Sequence, residues 1–203
     1  MGFNTFLSKQ QQKEQEICVL VLGLDNAGKT TVTHALLGSD TAGIEPTFGF
    51  NIRSHEIDGF TLNIWDVGGQ RTLRSFWRNY FYAAEALVWV VDASDPRRLA
   101  DCRSELSSIL QEESQICTTL LILANKQDMP GALPPERVAA ELGLGEAPTA
   151  PPPGHPAELP GPRPQRQWAI FGCSAHTPAG QQQIQQAFRW LVAEVASRVS
   201  LPK

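Results

Sequence analysis

The stretch VLGLDNAGKTT at residues 21–31 constrains this chain most, because it places two glycines and a lysine directly after an apolar run. Residues 23–30 match GxxxxGK[ST], the pattern of a phosphate-binding loop between a strand and a helix. In such a loop glycine lets backbone N–H groups face phosphate oxygens, and the helix N-terminus adds positive potential. We therefore expect a buried strand, a phosphate-binding turn and a helix over residues 29–37.

The lysine and the threonines of this stretch have separate roles in such a loop. Lys29 is placed to reach the β- and γ-phosphates of a nucleotide, and the Thr30 hydroxyl to bind Mg²⁺. Thr31 is placed to contact the α-phosphate. A glycine turn that binds no ligand is the alternative, and the lysine and threonine count against it. The predicted phosphate-binding residues are Gly23, Asp25, Asn26, Ala27, Gly28, Lys29, Thr30 and Thr31.

A triphosphate site also needs groups that sense the terminal phosphate, and the segments EPTFGF and WDVGGQ supply them. We expect Thr47 to bind the metal beside this phosphate, and Asp66, at the end of a strand, to hold the metal through water. The Gly69 N–H can reach the γ-phosphate. Gln70 can orient the attacking water, whose in-line approach depends on positioning, and is therefore the predicted catalytic residue.

The tetrapeptide NKQD at residues 125–128 predicts which base is bound. The Asp128 carboxylate can accept hydrogen bonds from N1–H and the 2-amino group of guanine, whereas adenine has no donor at either place. An unpaired, desolvated carboxylate would disfavour adenine by about 10⁴-fold. Lys126 can lie along the purine, and Asn125 can tie this loop to the first one. Ser174 and Ala175 follow the last strand, where a backbone N–H can reach guanine O6.

Apolar runs recur along the chain and predict strands that are buried on both faces. Near-continuous Val, Ile and Leu without alternation is typical of a parallel sheet covered by helices. Residues 50–57 and 60–67 predict two more strands, which flank Asp58-Gly59, a dipeptide preferred in tight hairpin turns. The sequence thus predicts an α/β fold with one antiparallel edge pair. The four apolar runs are ICVLVLG (17–23), ALVWVVD (86–92), TTLLILA (118–124) and WAIFGCS (168–174).

Helical patterns fall between these strands. Apolar residues three and four positions apart predict two helices that bury one face, and we assign these residues to the core. The first set is Leu99, Cys102, Leu106, Ile109 and Leu110. The second set is Ile184, Phe188, Leu191, Val195 and Val199.

The sequence divides into a predicted N-terminal helix and one domain that contains a loop insertion. Residues 1–16 predict an N-terminal amphipathic helix with Phe3, Phe6 and Leu7 on one stripe, and residues 17–203 form one domain. The segment EAPTAPPPGHPAELPGPRP contains eight prolines, which cannot donate a regular ladder of hydrogen bonds. It predicts a loop insertion at about residues 143–166, with a docking ligand as the alternative.

Composition excludes several functional classes. The chain has 203 residues and a formal net charge of −4, which argues against binding nucleic acid by general electrostatics. No window has the 18 or so apolar residues of a membrane span, and we expect weak or no membrane contact and a cytoplasmic location. Gly2 raises the question of myristoylation, but Phe6 stands where the acylation pattern has Ser or Thr.

Five segments together carry a family resemblance: GLDNAGKT, PTFGFN, LNIWDVGGQ, LRSFWRNYF and ANKQDMPGAL. They resemble the ADP-ribosylation-factor branch of the small GTPases, and within it the Arf-like type 2 subgroup, with type 3 next. The resemblance covers residues 2–198 except the proline-rich loop, and Phe48 departs from the usual leucine or isoleucine. It implies a P-loop small GTPase fold with a six-stranded sheet flanked by helices. It also implies a monomer that binds GTP and GDP with Mg²⁺ and hydrolyses GTP.

The same resemblance implies partners. Switch I would centre on Thr47 and switch II on Gly69 and Gln70, with a GTPase-activating protein and an exchange factor acting on them. No arginine has an obvious position as an internal finger, so we expect slow intrinsic hydrolysis. Further partners implied are a tubulin-folding cofactor and prenyl- or myristoyl-binding carrier proteins, with microtubules or the cilium as a place of association. The aromatic residues that match the family's partner-binding trio are Phe50, Trp65 and Tyr80.

Three alternatives stay open at the level of the sequence. The first is an ATP-using P-loop enzyme such as a small kinase, against which NKQD counts. The second is an interaction module that keeps GTP without hydrolysing it, against which Gln70 counts. The third is a membrane-recruited trafficking GTPase of the same family.

Overall fold

The computed structural model describes residues 16–111, 119–144 and 167–199. Most of the predicted N-terminal helix and nearly all of the proline-rich loop lie outside these ranges. Within them the strands are β1 (Glu16–Leu22), β2 (Phe50–Ile57), β3 (Phe60–Val67), β4 (Ala86–Asp92), β5 (Thr119–Asn125) and β6 (Gln167–Gly172). The helices are α1 (Lys29–Leu36), α2 (Arg78–Phe81), α3 (Leu99–Gln111), α4 (Pro135–Leu142) and α5 (Pro178–Val199), with 3₁₀ helices at Arg71–Phe76 and Pro96–Arg98.

The six strands form one sheet in the order β2-β3-β1-β4-β5-β6. Every neighbouring pair is parallel except β2 and β3, which are antiparallel, so the predicted mixed sheet is confirmed. Strands β4 and β5 are buried along almost their whole length, which explains their unbroken apolar sequence. Strand β1 begins at Glu16, the last residue of the predicted N-terminal helix, so that helix cannot extend to residue 16.

A tight turn joins the antiparallel pair. Asp58 and Gly59 both have positive φ angles, of 50° and 84°, as a type I′ hairpin turn requires. Ile57 is paired with Phe60 directly across it. The register continues to Phe50 opposite Val67, so the turn fixes which residues of the two strands face each other.

Helices cover both faces of the sheet. On one face α1 and α5 pack through Val32, Leu36, Ile184, Phe188 and Leu191, all fully buried. On the other face α3, α4 and the segment around α2 pack on the alternate side chains of β1, β4 and β5. This second layer contains Leu99, Cys102, Leu106 and Ile109, which confirms their assignment to the core, together with Trp77 and Phe81.

The parallel strand order places the sequence motifs together at the carboxyl ends of the strands. Parallel strands end side by side, and in open α/β sheets ligands bind outside these carboxyl ends. The phosphate loop follows β1, WDVGGQ begins at the end of β3, NKQD begins at the end of β5, and Cys173 follows β6. Among the described helices none is long and apolar enough to cross a membrane.

The burial of residues in the core predicts how substitutions change the free energy of unfolding. Phe188 is fully buried in α5, so Phe188→Ala should lower the free energy of unfolding by about 3–5 kcal/mol through lost contacts and a cavity. Tyr82 is 86% exposed, and Tyr82→Ala should change it by less than about 0.5 kcal/mol. Urea unfolding of both variants at one fixed nucleotide concentration measures this. Equal effects of the two variants would contradict the layer assignment.

Candidate functional site

The phosphate loop is held in place by a side chain from another strand. Gly28 precedes α1 with a φ of 91°, and a side chain there would collide with the Asn125 amide. The Asn125 Nδ2 donates to the Ala27 carbonyl oxygen at 3.0 Å. Asn125 therefore ties the loop after β5 to the loop after β1, as the sequence predicts.

Lys29 places a buried ammonium group at the start of α1. Its Nζ donates to the Leu24 carbonyl oxygen at 3.0 Å, and the residue is 6% exposed. Burial lowers the pKa of Lys29 to about 8, although the carboxylates of Asp66 and Asp25 act in the opposite direction. The positive charge of the Lys29 ammonium group is only partly neutralised by the protein. An anion bound beside it would neutralise the rest.

Two hydroxyls and a carboxylate converge next to this lysine. The Thr30 hydroxyl donates to Asp66 Oδ2 at 2.7 Å, and the Thr30 and Thr47 hydroxyl oxygens lie 2.8 Å apart. Burial raises the pKa of Asp66, and its Oδ1 is buried without a hydrogen-bond partner. Oxygen ligands of this kind, with one carboxylate, suit Mg²⁺ that keeps waters and binds phosphate. The predicted metal residues are therefore brought together.

Gly69 packs directly on the phosphate loop. A side chain at this position would collide with Lys29 Nζ and with the backbone at Gly23 and Asp25. Its neighbour Gly68 donates its N–H to the Gly49 carbonyl oxygen at 2.8 Å, which joins the segment after β3 to the segment before β2. Both predicted switch segments thus meet at the phosphate loop.

Two cavities at this edge of the sheet share several lining residues. One of about 310 Å³ lies over the phosphate loop, and one of about 470 Å³ lies beside NKQD. Gly23 and Ala27 belong to the phosphate loop but line neither of these two cavities. The first is lined by Asp25, Asn26, Gly28, Lys29, Thr30, Thr31, Thr47, Gly69 and Gln70, among others. The second is lined by Asn26, Gly28, Thr31, Asn125, Lys126, Asp128, Ser174 and Ala175, among others.

Lys126 is held by an acidic residue that sequence reasoning missed. It has a φ of 66°, unusual for a side chain other than glycine, and its Nζ donates to Asp92 Oδ2 at 2.6 Å. The other Asp92 oxygen accepts the Ser94 hydroxyl at 2.6 Å. Asp92 is the last residue of β4 and is in register with Asn125. Its place at a strand end was the signal that could have identified it.

The loop after β6 is also bound to Asn125. The Ala175 N–H donates to Asn125 Oδ1 at 3.3 Å, and the Ser174 hydroxyl is buried without a partner. Gln127 braces the opposite side, because its Nε2 donates to the Leu133 carbonyl oxygen at 2.9 Å. Of the two backbone N–H groups considered for the base, that of Ala175 is already engaged.

His34 connects the first switch segment to β2. Its Nδ1 lies 3.0 Å from the Asp40 carbonyl oxygen, and its Nε2 lies 3.1 Å from Arg53 Nη2. Because a guanidinium can only donate, Nε2 must accept and Nδ1 must carry the hydrogen. His34 therefore bridges these two segments.

Arginines that the sequence did not single out lie beside the phosphate loop. Arg74 and Arg98 both bond to Asp25 Oδ1, at 3.2 and 3.1 Å. Arg98 also donates to the Asp25 carbonyl oxygen at 2.9 Å. Asp25 is thus neutralised by two cations.

The predicted partner-binding residues form one aromatic cluster on the outer surface. Phe50 stacks on Trp65 with ring centroids 6.1 Å apart, and Tyr80 contacts both rings at 5.4 and 5.6 Å. Phe50 is exposed, whereas Trp65 and Tyr80 are half-buried. Phe48 and Phe76 are exposed nearby in the chain, so apolar surface extends beyond the trio.

A phosphate loop on a mixed α/β sheet, with two switch segments converging on its lysine, defines a small GTPase. The family model described as the ADP-ribosylation factor family matches residues 3–195. The chain therefore belongs to the ADP-ribosylation factor family, whose members hydrolyse GTP.

Individual proteins and a solved structure agree with this assignment. The chain is 46% identical over 199 residues to ADP-ribosylation factor-like protein 2 of Arabidopsis thaliana, covering 98% of each sequence. It is 45% identical over 199 residues to the protein of that name from Drosophila melanogaster, again covering 98% of each. The Arl6 BBS3 small GTPase of Trypanosoma brucei, solved with the nucleotide analogue GppNp, superposes with a TM-score of 0.71 at 26% identity. That match covers 91% of this chain and 99% of the other.

The buried lysine makes the stability of the nucleotide-free protein depend on pH. Below pH 8 Lys29 is protonated in the folded and unfolded chain, and the full cost of burying its charge, about 3 kcal/mol, is present. As the pH rises from about 8 towards 10.5, the folded chain holds the neutral amine and this cost fades. Lys29→Met should therefore stabilise the nucleotide-free protein at pH 7 by up to about 3 kcal/mol, and less at pH 9.5. Urea unfolding at both pH values measures this, and an equal gain at both would contradict it.

Proposed function

We propose that this GTPase is a switch of the Arf-like type 2 kind, in which both switch segments read the terminal phosphate at Lys29. The observation that carries this proposal is the convergence of Thr30, Thr47 and Asp66 within hydrogen-bonding distance, beside Gly69 packed on the phosphate loop. A group bound at this point contacts three separate segments at once. Its gain or loss therefore changes the order of the two switch segments.

The phosphates and the metal have separate partners in this proposal. Lys29 and the N–H groups of the phosphate loop bind the β- and γ-phosphates. Thr30 and Thr47 hold Mg²⁺ directly, and Asp66 holds it through water, which the unpartnered Asp66 oxygen favours. When bound, the metal would neutralise negative charge on the phosphates. The Gly69 N–H binds the γ-phosphate.

Hydrolysis depends on Gln70 and on a partner. Gln70 lines the phosphate cavity, from which its amide can orient water for in-line attack. Arg74 and Arg98 are engaged with Asp25, so we propose that an activating protein supplies the catalytic arginine. Such an arginine accelerates related GTPases by up to about 10⁵-fold. Intrinsic turnover is therefore slow, and an exchange factor is needed to reload GTP.

Guanine selection is assigned to Asp128. Its carboxylate is exposed and lines the larger cavity, so it can accept two hydrogen bonds from guanine. Lys126, fixed by Asp92, offers its methylene stem to the purine face. The backbone at Ser174 and Ala175 is the partner proposed for guanine O6, and Asn125 must share the Ala175 N–H if that residue is used.

Exchanging the acceptor at residue 128 for a donor should change the preferred base. Asp128→Asn should weaken GTP binding by about 10²-fold or more, because an amide N–H then faces the 2-amino group. Xanthosine triphosphate, with a carbonyl at that position, should bind the variant better than GTP does. Competition of GTP, xanthosine triphosphate and ATP against a fluorescent nucleotide measures this. The control is Asp101→Asn, an exposed acid in the first turn of α3.

A variant that keeps its preference for GTP would show that Asp128 does not choose the base. A wild-type chain that prefers ATP would overturn the nucleotide assignment as a whole.

The partner role rests on two supports. Proteins named ADP-ribosylation factor-like protein 2 are 45–46% identical to this chain over 98% of its length. The cluster of Phe50, Trp65 and Tyr80 lies on β2, β3 and α2, directly beside both switch segments. Aromatic anchors of this kind dominate binding energy at interfaces. We propose that the GTP form binds a tubulin-folding cofactor and releases lipidated cargo from carrier proteins in the cytoplasm.

Partner binding should depend on the bound nucleotide and on the aromatic cluster. Gln70→Leu should retain GTP because the residue that orients water is lost, and Thr30→Asn should weaken metal binding and favour GDP. Affinity capture with purified tubulin-folding cofactor and carrier protein should then succeed with Gln70→Leu and fail with Thr30→Asn. Adding Tyr80→Ala to Gln70→Leu should weaken capture about tenfold or more, whereas adding Tyr82→Ala should not. Equal capture in both nucleotide states would contradict the proposed role.

A further inference from the structure

Arg74 makes three hydrogen bonds to three separate parts of the fold. It lies in the 3₁₀ helix Arg71–Phe76, and its Nε donates to the Gly69 carbonyl oxygen at 3.1 Å. Its Nη1 donates to Glu105 of α3 at 2.8 Å, and its Nη2 to Asp25 at 3.2 Å. One guanidinium thus joins the second switch segment to the phosphate loop and to α3.

These bonds fix the peptide that precedes Gln70. Gly69 has the phosphate loop on one side, where a side chain would collide with Lys29 and Asp25, and Arg74 on its carbonyl. A peptide group is planar, so holding the Gly69 carbonyl also sets the direction of the Gln70 N–H. On the far side, the Leu73 N–H donates to the Gln70 carbonyl oxygen at 2.8 Å. The backbone of Gln70 is therefore held on both sides while its side chain lines the phosphate cavity.

The surroundings of Arg74 suit a residue that anchors the second switch segment, and not an arginine finger that reaches a phosphate. Its side chain is 14% exposed, and Nε, Nη1 and Nη2 each have a partner. A finger would have to break the ion pairs with Asp25 and Glu105 to reach a phosphate. Three acceptors in different directions also need the planar fork of arginine, which the single ammonium of lysine cannot reproduce.

We propose that Arg74 is a positioning residue for GTP hydrolysis, which acts through Gln70 by anchoring the Gly69–Gln70 peptide to the phosphate loop and α3. This inference rests on the proposed role of Gln70. Small misplacement of an orienting group can cost about 10²-fold in rate. Loss of the anchor should therefore slow the chemical step more than it weakens nucleotide binding.

The test is a double-mutant cycle on intrinsic hydrolysis of preloaded GTP by the full chain, without an activating partner. Arg74→Gln should lower the single-turnover rate by about tenfold to a hundredfold. In a Gln70→Leu background the same change should have less than about a twofold effect, because the group it positions is gone. Arg74→Lys should restore only part of the rate. Arg71→Gln removes the same charge from an exposed position of the same 3₁₀ helix and should leave the rate within about twofold.

Glu105→Gln separates an anchor from a restrained finger. Weakening this ion pair loosens an anchor and should lower the rate, whereas it would free a finger and raise the rate. A raised rate would overturn the proposal. An effect of Arg74→Gln that is equal in both backgrounds would also overturn it, since a general structural role persists without Gln70. Should Arg74→Gln fail to fold, Arg74→Lys and Glu105→Gln in both backgrounds answer the same question.

The failure of this proposal can be distinguished from failure of the proposed function. Wild-type chain that binds no GTP, or hydrolysis that Gln70→Leu leaves unchanged, would overturn the proposed role of Gln70 and this inference with it. Normal wild-type hydrolysis, slowed by Gln70→Leu and unchanged by Arg74→Gln, would overturn this inference alone.

Discussion

The buried ammonium of Lys29 is the constraint on which the rest of the site depends. A protein does not bury a cation at low cost, and here the backbone carbonyl of Leu24 offers only partial compensation. The charges of Asp66 and Asp25 offset part of that cost, and Gly69 packs closely on the Lys29 Nζ. In the proposed function, a phosphate bound beside Lys29 compensates the rest of that charge, which favours both nucleotide binding and the ordering of the switch segments.

Asn125 joins the proposed base site to the proposed phosphate site. Its amide nitrogen binds the Ala27 carbonyl of the phosphate loop, and its amide oxygen accepts from Ala175 after β6. Three loops that follow three different strands are therefore joined through one buried side chain. In the proposed function, this link keeps the base site at Asp128 in a fixed position relative to the phosphate site at Lys29.

Sequence reasoning found the residues that line the two cavities better than the residues that support them. The glycines, Lys29 and NKQD occur in fixed local spacing, and the hairpin turn at Asp58 follows from local backbone preference. Asp92 and Arg74 have no such local pattern, because their partners Lys126 and Glu105 lie more than thirty positions away and meet them only through the sheet order. Supporting contacts of this kind are set by topology, which a short motif does not encode.

The charges around the phosphate loop bear on the proposed need for an activating partner. An acid beside a triphosphate site would repel it, but Asp25 is paired with Arg74 and Arg98, and Arg74 is paired in turn with Glu105. Two cations and two anions cancel, which leaves Lys29 as the charge that the phosphates meet. The same cancellation engages Arg74 and Arg98 in ion pairs. In the proposed function, the pairing that keeps Asp25 from repelling the phosphates therefore also keeps Arg74 and Arg98 from the reaction, and the activating partner supplies the catalytic arginine.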